Sequence, residues 1–350
     1  MAVLDDPIEV RVAMGRPEPG ALSFAQARES PCLTCATSPC CRYLPVYHFH
    51  VTNLVELDYA MYLLNFRHVV LGLAASGEWA VYYRRPCRFL DLEDSMCTLH
   101  DSPEQPSICR HYNPYSCWYR KVLADNAHDE FVLVDRARIA WIAERLMFDD
   151  QRNLAAAPEW GAIVAAFSAL PVEDVEHEPD PDGHEDAAPA ASGWRPVELG
   201  KAPAVRRYSD PVVQDPCTGC AAYCCSTLVF PAAVPASAAQ LDYLRFCLGF
   251  RGVELGVDEE GWNIVVHTTC RHLDGGRCGL YGDPARPIRC SHYDALRCDY
   301  KVRFRGPEPE GFLRVPLERF GALAEAFAFD DQGQPLGVPG FEALRTALRS

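Results

Sequence analysis

The cysteines constrain this chain more than any other feature. Seventeen occur in 350 residues, and sixteen fall into two sets of eight. The first set is Cys32, Cys35, Cys40, Cys41, Cys87, Cys97, Cys109 and Cys117. The second is Cys217, Cys220, Cys224, Cys225, Cys270, Cys278, Cys290 and Cys298. Each set opens with C-x2-C and an adjacent pair, steps 46 or 45 positions, and closes with steps of 12 and 8. A shared composition bias would not fix spacings, so the pattern reads as a tandem duplication.

Other residues repeat in step. CRFLDLEDSMC from Cys87 reads against CRHLDGGRC from Cys270, Pro106 falls on Pro287, and Cys109-Arg-His-Tyr falls on Cys290-Ser-His-Tyr. Upstream, ELDYAMYLLNFR reads against QLDYLRFCLGFR, and Phe148-Asp-Asp-Gln matches Phe329-Asp-Asp-Gln. Between the copies lies an acidic stretch rich in proline and alanine without apolar periodicity, which reads as a linker and spacer. The expected organisation is a lead-in over 1–25, cysteine-cluster domains over 26–170 and 197–350, and the linker over 171–196.

Local signals point to an α+β fold: two homologous small domains, each with helices, a few short strands and long metal-clipped loops. Asn53-Leu-Val-Glu56 and Ser237-Ala-Ala-Gln240 resemble capping boxes, in which a side-chain oxygen takes a free amide and the Glu or Gln reaches back. Apolar helices are expected after them, over 54–74 and 238–250. Aromatic and β-branched residues predict strands over 79–83 and 262–266, with further strands over 131–134 and 312–315. Amphipathic helices follow over 136–148 and 317–329, and APEWGAIVAAFSAL suits another. Most cysteines then lie on loops. Cys247 is the exception: it has no counterpart, lies on an apolar helix face, and is expected to pack as a small hydrophobe.

The composition is globular, 49 % apolar and 23 % charged. A net charge of −15 argues against binding a polyanion such as nucleic acid. No apolar run approaches the ~20 residues of a membrane span. The start, MAVLDDPIEV, lacks the basic-then-apolar order of a secretory signal, so a reducing cytoplasmic setting is expected. There, many thiols suit metal ligation better than disulfides. Thiolate is a soft ligand for Zn, Cu(I) or iron–sulfur clusters, and C-x2-C lets two sulfurs converge on one centre. Adjacent cysteines in an extended segment would point apart, suggesting two centres, or one ligand and one further thiol. All-cysteine zinc sites are usually built from two short pairs. Each half here has only one, with four isolated cysteines after it, and clusters accept distant ligands more readily. The spacing therefore tilts toward an iron–sulfur cluster, with Zn2+ as the alternative.

The pattern C-x2-C-x3/4-C-C, then C-x7/9-C, then Pro-x2-C-x-His-Tyr resembles the YkgJ-type cysteine-cluster family (CxxCxxCC), a zinc- or iron-chelating domain. The second half fits best, through CTGCAAYCC and CRHLDGGRCGLYGDPARPIRCSHY. The first carries CLTCATSPCC, one residue longer, with His100 in place of Tyr281 and Gln105-Pro106 in place of Arg286-Pro287. The resemblance implies metal chelation by all sixteen paired cysteines, without an agreed reaction. A related cysteine pattern in flagellin lysine methylases implies cluster-linked methyl transfer, but no glycine-rich S-adenosylmethionine loop supports it here.

Other residues have plainer readings beside their chemical ones. His111 and His292, two residues after a clustered cysteine, are read as hydrogen-bonding groups before ligands. Arg88 and Arg271 suit either thiolate stabilisation or surface ion pairs. Asp91 and Asp274 are read as turn caps, His48 and His50 as structural, and His177 and His184 as solvated linker groups. No Ser-His-Asp order, P-loop, HExxH or GxGxxG stands out. The expected function is metal binding by one eight-cysteine cluster per half. The alternatives are a redox or group-transfer enzyme built on the cluster, and a structural-zinc scaffold for an unidentified protein partner.

Overall fold

The computed structural model describes residues 35, 37–100, 102–110, 112, 117–123, 127–178, 220–293, 298–306, 309 and 311–349. Cys32, Cys217, His111 and His184 lie outside these, as do the lead-in over 1–25 and most of the acidic stretch. The described residues mix short helices with small antiparallel sheets. In the first half the order is β1 (Leu44–His50), α1 (Leu54–Leu63), β2 (Val69–Ala74), β3 (Glu78–Tyr83), α2 (Ser107–Arg110), α3 (Trp118–Val122), β4 (Ala127–His128) and β5 (Phe131–Val134). Then come α4 (Arg136–Ala143), the hairpin β6 (Met147–Phe148) and β7 (Leu154–Ala156), and α5 (Trp160–Ala169). The second half runs α6 (Tyr223–Ser226), β8 (Thr227–Ala232), α7 (Ala238–Leu248), β9 (Val253–Val257), β10 (Trp262–His267), and the small hairpin β11 (Leu273–Asp274) and β12 (Arg277–Cys278). It continues with α8 (Ile288–Ser291), α9 (Asp299–Phe304), β13 (Leu313–Val315), α10 (Phe320–Glu325), β14 (Ala328–Phe329), β15 (Pro335–Gly337) and α11 (Phe341–Ala347).

The caps form at the expected residues. Asn53 Oδ1 accepts from the amides of Val55 and Glu56, both at 3.0 Å. Glu56 reaches back to the Thr52 amide at 2.6 Å, one residue earlier than a reciprocal box. Ser237 Oγ accepts from Gln240 N at 3.1 Å, and Gln240 takes the Ala236 amide at 2.7 Å. The expected helix over 54–74 divides. It ends at Leu63, His68 turns the chain in the left-handed region (φ 58°), and 69–74 is strand β2. Val69 through Leu73 are buried, and such a continuous apolar run does not distinguish helix from strand by periodicity. The helices expected over 136–148 and 317–329 also end early. Phe148 and Phe329 instead enter hairpins turned by Asp149, which accepts from Gln151 and Asn153, and Asp330, which accepts from Gln332 and Gln334. The repeated Phe-Asp-Asp-Gln motif is therefore a turn, made by a carboxylate taking amides two and four residues on.

One sheet has strand order β1-β3-β2-β5-β4 and the other β8-β10-β9-β13, every pair antiparallel. Gly72 of β2 pairs with Leu133, and Gly256 of β9 with Arg314. An added Cβ at Gly72 would stand 2.2 Å from the Phe131 ring, and one at Gly256 2.3 Å from the Phe312 ring. In each sheet an aromatic ring therefore lies on a glycine.

A single cluster of buried apolar side chains runs through both halves, including Leu57, Phe66 and Leu71 from one and Leu244, Phe250 and Leu255 from the other. Backbone bonds join the halves as a reciprocal pair. Arg88 N–H donates to Gly249 O and Arg271 N–H to Asn65 O, both at 2.8 Å, and isolated bridges form between Cys87 and Phe250 and between Phe66 and Cys270. The acidic stretch expected as a spacer packs onto this body over 171–178. Val175 is buried, Glu176 pairs with Arg42 and with Arg84 (3.2 Å), and Glu178 accepts from Arg271 at 2.7 Å and from the His68 amide at 3.0 Å. It therefore straps residues of both halves together. Cys247 is fully buried in the shared core, as expected of a packing thiol.

Two stability measurements check this packing. Gly72→Ala and Gly256→Ala should each overpack an aromatic ring and lower the unfolding free energy by about 1–3 kcal/mol in denaturant titrations. Cys247→Ala should cost on the order of 1 kcal/mol by loss of packing, with the metal content of the purified protein unchanged.

Candidate metal centre

The adjacent cysteines do not sit in an extended segment. Each pair follows a residue in the left-handed region, Ser38 (φ 35°, ψ 54°) and Ala222 (φ 54°, ψ 38°). The chain then enters one helical turn, Pro39–Cys41 in the first half and Tyr223–Ser226 in the second. Neighbours are rotated by about 120° in the 3-10 turn of the first half and about 100° in the α-helical turn of the second, not 180°. The expectation that the two thiols point apart is therefore corrected: Cys40 Sγ and Cys41 Sγ stand 3.9 Å apart. Thiolates on one tetrahedral zinc with Zn–S near 2.3 Å would be separated by about 3.8 Å. The left-handed conformation of two non-glycine residues is a local cost that the surrounding fold sustains.

A backbone clip brings the fifth cysteine to each pair. Cys87 N–H donates to Cys41 O at 2.8 Å, and Cys270 N–H to Cys225 O at 2.6 Å. The loop then folds back on itself, with Leu90 bridged to Cys97 and Leu273 paired with Cys278. Cys109 and Cys290 ride on the short helices α2 and α8, each starting just after Pro106 or Pro287, where proline opens a helix without losing a needed donor. Cys117 and Cys298 sit at the N-caps of α3 and α9. Cys117 Sγ accepts from Arg120 N at 3.3 Å.

In the first half Cys40, Cys41, Cys97 and Cys109 line one cavity of about 130 Å³, with Tyr112 and Phe246 among its walls. Phe246 comes from α7 of the second half. His100, which replaces Tyr281, also lines this cavity. The thiols act on one another. Cys40 is held well above the ordinary thiol range, first by its hydrogen bond with Cys41, then by burial and the charges of Cys41 and Cys35. Burial raises Cys109 well above that range, and Cys40, Cys87 and Cys97 add to the rise. Burial pushes Cys87 up to about 11. In the second half, burial pushes Cys270 up to about 12, and Cys278 and Cys224 add to it. Cys290 is raised by burial with Cys270, Cys278 and Cys224 beside it. The hydrogen bond between Cys224 and Cys225 lowers the former to about 7 and raises the latter.

All fifteen described cysteines are free thiols. Fourteen belong to the repeated sets; the seven described in the first half act electrostatically on one another, as do Cys224, Cys225, Cys270, Cys278 and Cys290 in the second. Among the described residues, no three Cys, His, Asp or Glu side chains stand close enough to hold a single ion. The first cysteine of each set, Cys32 and Cys217, lies outside the described residues.

The tyrosine of the Cys-x-His-Tyr motif acquires a place that the sequence reading did not give it. Tyr293 Oη donates to Cys298 Sγ at 3.6 Å, and Tyr112 hydrogen-bonds Cys117. Repetition of Tyr at the same distance before the eighth cysteine was the available signal. His292 Nδ1 lies 3.1 Å from Ile288 O, a structural contact. Arg88 pairs with exposed Glu318 at 2.8 Å, whereas Arg271 turns to Glu178 and to the carbonyls of Leu64 and Phe66. Asp91 caps a turn through the Glu93 amide at 2.8 Å, and His48 pairs with Glu78 at 3.2 Å. Among the described residues no helix is long and apolar enough to cross a membrane.

Comparison with known proteins finds no matching family model, no matching curated protein and no matching solved structure. The likeness to the YkgJ-type pattern thus rests on the spacing of the cysteines and the residues beside them.

Proposed function

We propose that the protein binds metal through two thiolate-rich centres, one in each copy of a tandem duplication, and that each centre holds an iron–sulfur cluster. One observation carries the reading. Thiols from remote stretches of the first half, Cys40 and Cys41, Cys97, and Cys109, line the walls of one cavity. The same backbone clip, hairpin and short helix gather their counterparts in the second half. The shared order of four strands in the two sheets, with β4 extra in the first, and their matched glycine–phenylalanine contacts support the duplication.

Several buried thiolates together need a cation. Burial and mutual repulsion raise most of these thiols, so deprotonation becomes favourable only when metal takes up the charge. The cavity of about 130 Å³ beside these thiols leaves room for more than one small ion. The 3.9 Å sulfur separation is the observation that favours zinc as the second reading, with the centres then structural.

Protein purified without oxygen should show broad visible absorption and contain iron with acid-labile sulfide. Cys40→Ser with Cys41→Ser should remove the metal of the first half, and Cys224→Ser with Cys225→Ser that of the second. Each pair of substitutions should lower total metal by about half. A colourless protein with stoichiometric zinc selects the second reading, and a folded protein without metal, or with these thiols joined as disulfides, refutes both.

A further inference from the structure

The two thiol clusters are not built by their own halves alone. Helix α7 of the second half lies along α2, the short helix that carries Cys109, and α1 of the first half lies along α8, which carries Cys290. The contacts are reciprocal. Asp242 on α7 accepts the Ser107 amide, at the start of the Cys109 helix. Asp58 on α1 accepts the Ile288 amide at 2.7 Å, at the start of the Cys290 helix. Asp58 and Asp242 occupy the same place in the repeated Leu-Asp-Tyr motif.

Further contacts surround these carboxylates on both sides. Arg245, ion-paired with Asp242, donates to Glu104 O at 2.9 Å and Gln105 O at 3.4 Å, on the approach to Cys109. Phe246 closes the first-half cavity. A Cβ at Gly249 would stand 3.2 Å from Cys87 Sγ, so the end of α7 also touches the fifth thiol. On the other side, Arg289 lies over the rings of Tyr59 and Tyr62, 5.2 and 5.8 Å from their centroids, next to Cys290.

We propose that each metal centre is assembled in trans: Asp242 and Asp58 are positioning residues that seat the seventh cysteine of the opposite half, so neither half forms a complete centre without the other. This inference rests on the metal-centre reading. Its physical basis is that α2 and α8 have four residues each, too few to hold a helical turn by their own hydrogen bonds. A carboxylate that takes an otherwise unused amide fixes the turn and with it the thiol. The carboxylate is supplied by a helix anchored in the shared core.

The test uses the full-length chain carrying Cys224→Ser and Cys225→Ser, which leaves only the first-half centre. Resistance of its metal to a competing chelator is compared with and without Asp242→Ala. Loss of an outer-shell partner typically costs 10–100-fold in metal affinity, so the chelator concentration that removes half the metal should fall by about that factor. Asp242→Asn, whose amide oxygen still accepts from Ser107, should stay within about threefold of the parent. Hydrogen exchange of amides 107–110 should accelerate with Asp242→Ala while exchange in strands β1–β3 is unchanged, a pattern that general destabilisation would not give. Equal chelator resistance and equal exchange in the Ala variant would overturn assembly in trans and leave the metal reading standing. A parent chain that folds without metal would refute the metal reading and the inference with it.

Discussion

Gathering several half-buried thiols within each half is the constraint from which much of this structure follows. A buried thiol resists ionisation, and each neighbour that ionises makes the next harder. The left-handed turns at Ser38 and Ala222, the short helical turns after them and the clips from Cys87 and Cys270 all hold sulfurs near one another against that repulsion. Such an arrangement is stable in two ways: with most thiols protonated, Cys224 alone among the described ones being lowered through its hydrogen bond with Cys225, or with thiolates gathered on a cation. The raised positions of Cys40, Cys87, Cys109, Cys225, Cys270 and Cys290 describe the first.

The sheets explain why the two halves interlock. A sheet of four or five short strands with little helix of its own cannot cover both faces from water. Each sheet here turns one face into the core that both halves share. On the first sheet the other face packs around Tyr82, Phe131 and Leu133, and on the second it packs around Val265, Phe304 and Phe312. The helices α1 and α7 lie in the shared core, and the same helices reach across to the cysteine loops. The helices that build the shared core thus also contact the cysteine-bearing helices, and the strap over 171–178 adds ion pairs at the same junction.

How much of this was legible in the sequence depends on the range of the interaction. Capping residues Asn53 and Ser237, the strands at Trp79 and Trp262, and the core role of Cys247 follow from local pattern, and the structure has them. Strand β2 was read as helix because Val69 to Leu73 are buried on both faces, which erases the period-two signal. The geometry of the adjacent cysteines is not legible in the sequence because it depends on one left-handed residue, Ser38 or Ala222, and neither is the glycine that would announce it. The carboxylates of Asp58 and Asp242 were visible only as a repeated Leu-Asp-Tyr. Their partners are amides more than a hundred residues away, and nothing local encodes such a contact.

Equivalent strand positions also show where the two halves are free to differ. Around the thiols the clip, the hairpin and the short helix repeat. On the strand ends that lead toward the fifth cysteine the side chains differ. Val70, Arg84 and Leu133 occupy the positions that Glu254, His267 and Arg314 hold in the second sheet. Glu254 is buried, which alone would raise its carboxyl, but hydrogen bonds from His267 at 2.9 Å and Arg314 at 2.7 Å outweigh burial and hold it below the ordinary range. In the first sheet Arg84 finds its carboxylate in Glu176 of the strap instead. Each sheet therefore places one carboxylate beside a basic group at this position, drawn from a strand in one case and from the connecting chain in the other. An unpaired buried charge is costly whichever element supplies its partner, so the pairing is kept while its source changes. Around the thiols, by contrast, the backbone clip and the short cysteine-bearing helix recur although the loops differ in length by one residue before the adjacent pair and by two before the sixth cysteine.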